Sequence, residues 1–63
     1  MYGFLTKSGT RYILDVQNQM ICGGKLKNPV HYTYCSGLII GYRPTFNLIN
    51  GQVLKTSAIV SYL

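Results

Sequence analysis

The sequence predicts an all-β domain, a small five- or six-stranded antiparallel barrel or SH3-like sandwich spanning residues 1–63. Three observations predict it. Turn signals recur about every eight to ten residues, at Lys7-Ser8-Gly9, Asn18-Gln19, Lys27-Asn28-Pro29, Ser36-Gly37, Arg43-Pro44 and Asn50-Gly51. The stretches between them are rich in Tyr, Ile, Val, Thr and Phe, residue types that suit a pleated, half-buried surface. No window keeps an apolar helical period for three turns, so little or no helix is expected.

Taken in order, Tyr2–Thr6 should pair with Thr10–Gln17 across Lys7-Ser8-Gly9, with Gly9 at the tight point of the loop. Along the second strand Tyr12, Leu14 and Val16 fall on one face and form the core set. Arg11, Ile13, Asp15 and Gln17 fall on the other. Met20–Lys25 contains Cys22 and the pair Gly23-Gly24, which signals a bulge, a sharp bend or the close approach of another backbone. Pro29 marks a strand edge. Val30–Tyr34 sets Val30, Tyr32 and Tyr34 against His31 and Thr33. Leu38–Tyr42 reads as a buried strand broken at Gly41 and stopped at Arg43-Pro44, since Pro44 offers no ladder donor.

Parity decides the loop of the last hairpin. A two-residue Asn50-Gly51 loop would set Phe46 opposite Lys55 and Asn47 opposite Leu54, mixing polar and apolar residues on both faces. A three-residue loop with Gly51 in the left-handed region instead puts Phe46, Leu48, Leu54 and Thr56 on one face. Asn47 and Lys55 then share the other with Ile49 and Val53. Ala58–Leu63 is apolar to its last residue and should pair or dock as a strand, closing the barrel or reaching a neighbouring subunit.

Composition narrows the function. A 63-residue domain hides only about 60% of the surface its unfolded chain exposes, so its core needs help from a disulfide, a metal or a partner. Cys22, Cys35 and His31 fall short of the four ligands of a structural zinc site, and no metal or cofactor is expected. The segment Met1-Tyr2-Gly3-Phe4-Leu5 lacks the pattern of a signal peptide, which predicts a cytoplasmic protein with reduced thiols. The longest aliphatic run, Leu38-Ile39-Ile40, is far too short to span a bilayer, so no membrane role is expected. Only 11% of residues are charged against about 25% in ordinary domains, which points to an uncharged face covered by another copy of the chain or by another protein.

Enzyme chemistry finds little material here. General acid–base catalysis draws on paired groups, and the chain has one carboxylate side chain, Asp15, and one histidine. A Cys35–His31 pair on one strand face would sit about 13 Å apart by the rise per residue. The expectation is a non-enzyme with no catalytic residues. Six Lys/Arg against one acidic residue give a formal charge of +5, which draws anionic partners. Gly23-Gly24-Lys25 lacks the spacing of a phosphate loop, but exposed amides beside Lys25 and Lys27 are suited to an anion. Tyr32, Tyr34 and Tyr42 lie between those lysines and Arg43, an arrangement that lets bases stack while cations follow phosphates. Thr56 and Ser57 complete the expected ligand-binding set with hydroxyls and amides.

The C-terminal third, with Gly41-Tyr42-Arg43-Pro44-Thr45-Phe46, Leu48, Asn50-Gly51 and Lys55-Thr56-Ser57-Ala58-Ile59, resembles short orphan proteins of phages and other mobile elements. That resemblance implies a small protein that sequesters a nucleic acid, a nucleotide signal used in host defence, or a host protein. The expected function is therefore an oligomeric binding module for an anionic ligand, nucleic acid or nucleotide. The alternative is a protein-interaction module or inhibitor that uses an edge strand or an apolar face carrying Ile13, Ile49 and Val53.

Overall fold

The computed structural model describes residues 2–63. It is a single antiparallel sheet of seven strands: β1 Tyr2–Thr6, β2 Arg11–Asp15, β3 Met20–Gly23, β4 Leu26–Cys35, β5 Thr45–Leu48, β6 Val53–Lys55 and β7 Ile59–Tyr62. The described residues contain no helix. The strand order is β6-β5-β4-β3-β2-β1-β7, a meander whose last strand returns to pair with the first.

The two terminal hairpins form as their patterns predict. Tyr2 pairs with Leu14 and Phe4 with Tyr12 across the Lys7–Gly9 turn. In the β5–β6 hairpin Thr45 faces Lys55, Phe46 faces Leu54 and Asn47 faces Val53, and Leu48 N donates to Gln52 O at 2.8 Å. The loop is therefore Ile49-Asn50-Gly51, three residues long, with Gly51 at φ 88°. Ile49 and Val53 stand in solvent, as the register requires.

The centre departs from expectation. Lys27-Asn28-Pro29 is not a turn but part of the ten-residue β4. Gly23 pairs with Leu26 and Ile21 with Val30, so Lys27, Asn28 and Pro29 together oppose the single residue Cys22. This wide bulge is where a proline fits, because the ladder is already interrupted. A second irregularity lies between Tyr32 and Tyr34: Tyr32 pairs with Leu48, Tyr34 with Asn47 and Cys35 with Phe46. The extra residue flips the alternation, so Tyr32 and Cys35 turn toward the core while Tyr34 and His31 are exposed. Val16 also leaves its expected place, lying exposed in the turn after β2. Leu38–Tyr42 forms no strand; Ile39, Ile40 and Tyr42 are exposed.

The core is one cluster of Phe4, Tyr12, Leu14, Ile21, Tyr32, Phe46, Leu48 and Ile59. Phe4 on β1 and Phe46 on β5 stack with ring centroids 6.4 Å apart although three strands lie between them in the sheet. Only a tightly curled sheet brings its own face together in this way, and its inner face supplies the whole core.

The expected five- or six-stranded barrel or sandwich is thus corrected to an open, curled, seven-stranded sheet. Its edges, β6 and β7, are consecutive in the chain, separated by Thr56–Ala58, and no ladder joins them. The intervening backbone turns instead to the β4–β5 connection: Thr56 N donates to Pro44 O at 3.2 Å and Ile59 N to Tyr42 O at 3.0 Å. Pro44 has no N–H to return, so a regular ladder cannot continue past β6.

Candidate functional site

In an antiparallel meander successive turns alternate between the two ends of the sheet. The β1–β2 and β3–β4 turns therefore share one end, and the β2–β3 turn lies at the other. Sequence puts Lys7 in the first of these turns, Arg11 at the start of β2, Lys25 in the β3–β4 turn and Lys27 in the bulge after it. Four of the six positive residues thus gather at one end, and all four are exposed. The one acidic side chain, Asp15, closes β2 at the opposite end.

Close backbone packing welds the two basic turns together. A Cβ placed on Gly23 would lie 2.3 Å from the Arg11 carbonyl oxygen, so β2 and β3 approach there as only glycine permits. A Cβ on Gly24 would lie 2.9 Å from the Tyr12 hydroxyl and 3.1 Å from Thr10 Cγ2. The Gly23-Gly24 pair therefore marks a sharp bend and a close approach, while the bulge lies beside it, where Lys27–Pro29 oppose Cys22.

Beside these cations is a set of linked hydroxyls. Ser8 Oγ lies 3.0 Å from Thr6 Oγ1 and 3.2 Å from Thr10 Oγ1. Ser57 Oγ donates to Ser8 Oγ at 3.1 Å and accepts from Ser8 N at 3.2 Å. Lys7 N donates to Ala58 O at 2.8 Å. These bonds pin the β1–β2 turn to the start of β7 and hold Lys7 at the rim.

At the far end Asn18 donates from its side chain to Asp15 Oδ2 at 2.8 Å and from its backbone to Oδ1 at 3.2 Å. These bonds hold the Asp15 carboxyl below its ordinary range, the side-chain bond first. The charge is thereby kept negative where the second turn needs an acceptor, away from the cations.

The expected ligand-binding residues divide. Lys25 and Lys27 come together at the basic end. Arg43 lies on the β4–β5 connection, where its Nε donates to Thr56 O at 3.0 Å. Thr56 is 3% exposed and its hydroxyl donates to Ser57 O at 2.7 Å, so it is a buried structural residue and its hydroxyl does not face a ligand. Ser57 belongs to the hydroxyl set. The tyrosines form no common platform: Tyr32 is 6% exposed and packs edge-on against Phe46 with centroids 5.5 Å apart, while Tyr34 and Tyr42 are exposed elsewhere. The bulge between Tyr32 and Tyr34 is the cause. Lys7, Arg11, Ser8 and Thr10 were missed, although the alternation of turns in a meander was a sufficient signal to find them.

The Cys35–His31 pairing fails on the same bulge, which puts the two side chains on opposite sides of β4. Burial pushes the Cys35 thiol up from its ordinary value, away from the thiolate a nucleophile needs. Cys22 and Cys35 are both free. Among the described residues no three His, Cys, Asp or Glu side chains group to hold a metal. A shallow apolar pocket of about 100 Å³ lies on the outer sheet face among Ile13, Met20, Cys22 and Pro29, with Asp15 at its side.

Compared with protein-family models, with curated proteins and with solved structures, the chain matches none of them.

Proposed function

We propose that this domain is a small non-catalytic module that binds nucleic acid through the phosphate backbone at its basic end. The observation that carries the reading is the gathering of Lys7, Arg11, Lys25 and Lys27 at one end of the sheet with Asp15 at the other. Separated charge of this kind orients the molecule toward a polyanion as it approaches. The turns that carry Lys7 and Lys25 and the bulge that carries Lys27 hold no tyrosine, which favours contact with phosphates that is indifferent to base sequence. A sequestering role suits such a module, because coating a strand requires neither chemistry nor sequence readout.

The test is fluorescence anisotropy with a labelled duplex across a salt series. If all four cations engage phosphates, log affinity falls against log salt with a slope of up to about −3.6, roughly a hundredfold loss between 50 and 200 mM. Replacing Lys25 and Lys27 together with alanine should reduce that slope by about 1.8. Binding that ignores salt, or no binding to the duplex at low salt, overturns the reading. Saturable binding of a free nucleotide with no affinity for the duplex would replace the nucleic acid with a mononucleotide.

A further inference from the structure

The run expected to be a buried strand is instead displayed in water. Ile39, Ile40 and Tyr42 are 55%, 50% and 66% exposed. Backbone bonds hold them there. Tyr42 N donates to Ile39 O at 3.0 Å and closes a turn, and Gly41 N donates to Ile59 O at 2.8 Å and ties that turn to β7. The Tyr62 hydroxyl donates to the Leu38 carbonyl from the other side. Beside the turn, β7 exposes Val60 and Tyr62. A fastened turn that presents consecutive large aliphatic side chains to solvent breaks the usual pattern, and such breaks fall at functional surfaces.

The same face includes a sheet edge. Leu63 N donates to Gly3 O at 2.8 Å, so the Leu63 and Ser61 backbone groups turn toward β1 and those of Tyr62 outward. The register shifts between Leu5 and Thr6, which leaves Val60 as the extra residue of a bulge and turns Ile59 outward to Tyr42 and Gly41. β7 ends the sheet, and past the turn at Gly41 its outer edge is open to another strand.

We propose that a second copy of this chain covers the face, with β7 pairing antiparallel to β7 of the partner across a two-fold axis and the Ile39–Tyr42 turns packing over the seam. Charge selects this occupant. Each copy carries +5, and no Asp, Glu, Lys or Arg occurs in residues 28–42 or 56–63. Two copies therefore repel at their basic ends and can approach where the surface is uncharged, whereas an acidic partner is drawn to the basic end. An antiparallel edge strand is also complementary to itself under a two-fold axis. Ile39, Ile40, Tyr42, Val60 and Tyr62 together offer on the order of 500 Å² of surface, most of the ~800 Å² per partner of a standard interface. With both thiols free, association is also the remaining way for so small a core to gain burial.

Sedimentation equilibrium with circular dichroism tests this. The wild type should be a dimer at tens of micromolar. Ile40→Asp should weaken association about tenfold or more with an unchanged dichroism spectrum. Val60→Asp, which puts a charge on the exposed β7 side chain beside the turn, should weaken it as well. A monomer at every concentration, a dimer that neither variant weakens, or a complex in which this face is covered only by a different protein would overturn the proposal. Duplex binding is read on the same samples. Single-site affinity that survives in Ile40→Asp, or dimers that form without duplex binding, separate the two proposals.

Discussion

The β5–β6 and β3–β4 hairpins both turn on a glycine with positive φ, but the two glycines answer to different constraints. Gly51 has φ 88°, and a Cβ there would meet nothing within 4 Å. Its requirement is local, set by the three-residue loop alone. Gly23 has φ 125°, and a Cβ there would strike the Arg11 carbonyl oxygen of the neighbouring strand. Its requirement is tertiary, imposed by a strand residue that stands twelve positions earlier in the chain. The turn of the first is shaped by its own residues, whereas the second takes its shape from packing against β2. The basic end is built on the second.

Three substitutions sharpen that contrast. Gly23→Ala forces β2 and β3 apart besides straining the backbone, and should cost about 3 kcal/mol or more. A domain of this length has only about 3–9 kcal/mol in total, so the variant should melt far lower or be unfolded in a thermal scan. Gly51→Ala meets open space and should cost about 1 kcal/mol, the conformational price of the left-handed region alone. Equal losses at the two positions would break the contrast. The smallest effect is expected at the far end of the sheet, where the half-buried Asp15 is held by Asn18 in a solvent-facing turn. Its folded carboxyl titrates below its unfolded value, so its contribution is present above the ordinary carboxylate range and is lost as pH falls through the depressed folded value. Acid titration should therefore show a slight fall in melting temperature that is absent in Asp15→Asn.

The outer hairpins were legible because two rules determine them, the alternation of faces and the chemistry of the turn. Phe46, Leu48 and Leu54 could share a face in only one register, and that register required three loop residues. The same rules misread β4. Tyr32 and Tyr34 are two residues apart and would share a face in a regular strand, but one inserted residue sends the first into the core and the second into solvent. Nothing in His31-Tyr32-Thr33-Tyr34-Cys35 announces that insertion, because it is set by where β5 pairs. The platform of tyrosines and the Cys35–His31 pair both fell with it. Leu38-Ile39-Ile40 misled for another reason, since its composition describes what it would bury and not whether anything covers it.

By itself the sequence determined the all-β class, the two terminal hairpins with the register of the second, the strand at the C-terminal end and the positive charge. These follow from short-range chemistry, in which a residue's neighbours along the chain decide its conformation. Only the tertiary structure decided that the sheet stays open, that β4 bulges twice, that four cations meet at one end and that an apolar turn is held in water against β7. Each of these depends on which strands become neighbours. The curl of the sheet settles that by bringing Phe4 against Phe46, a contact no local pattern contains.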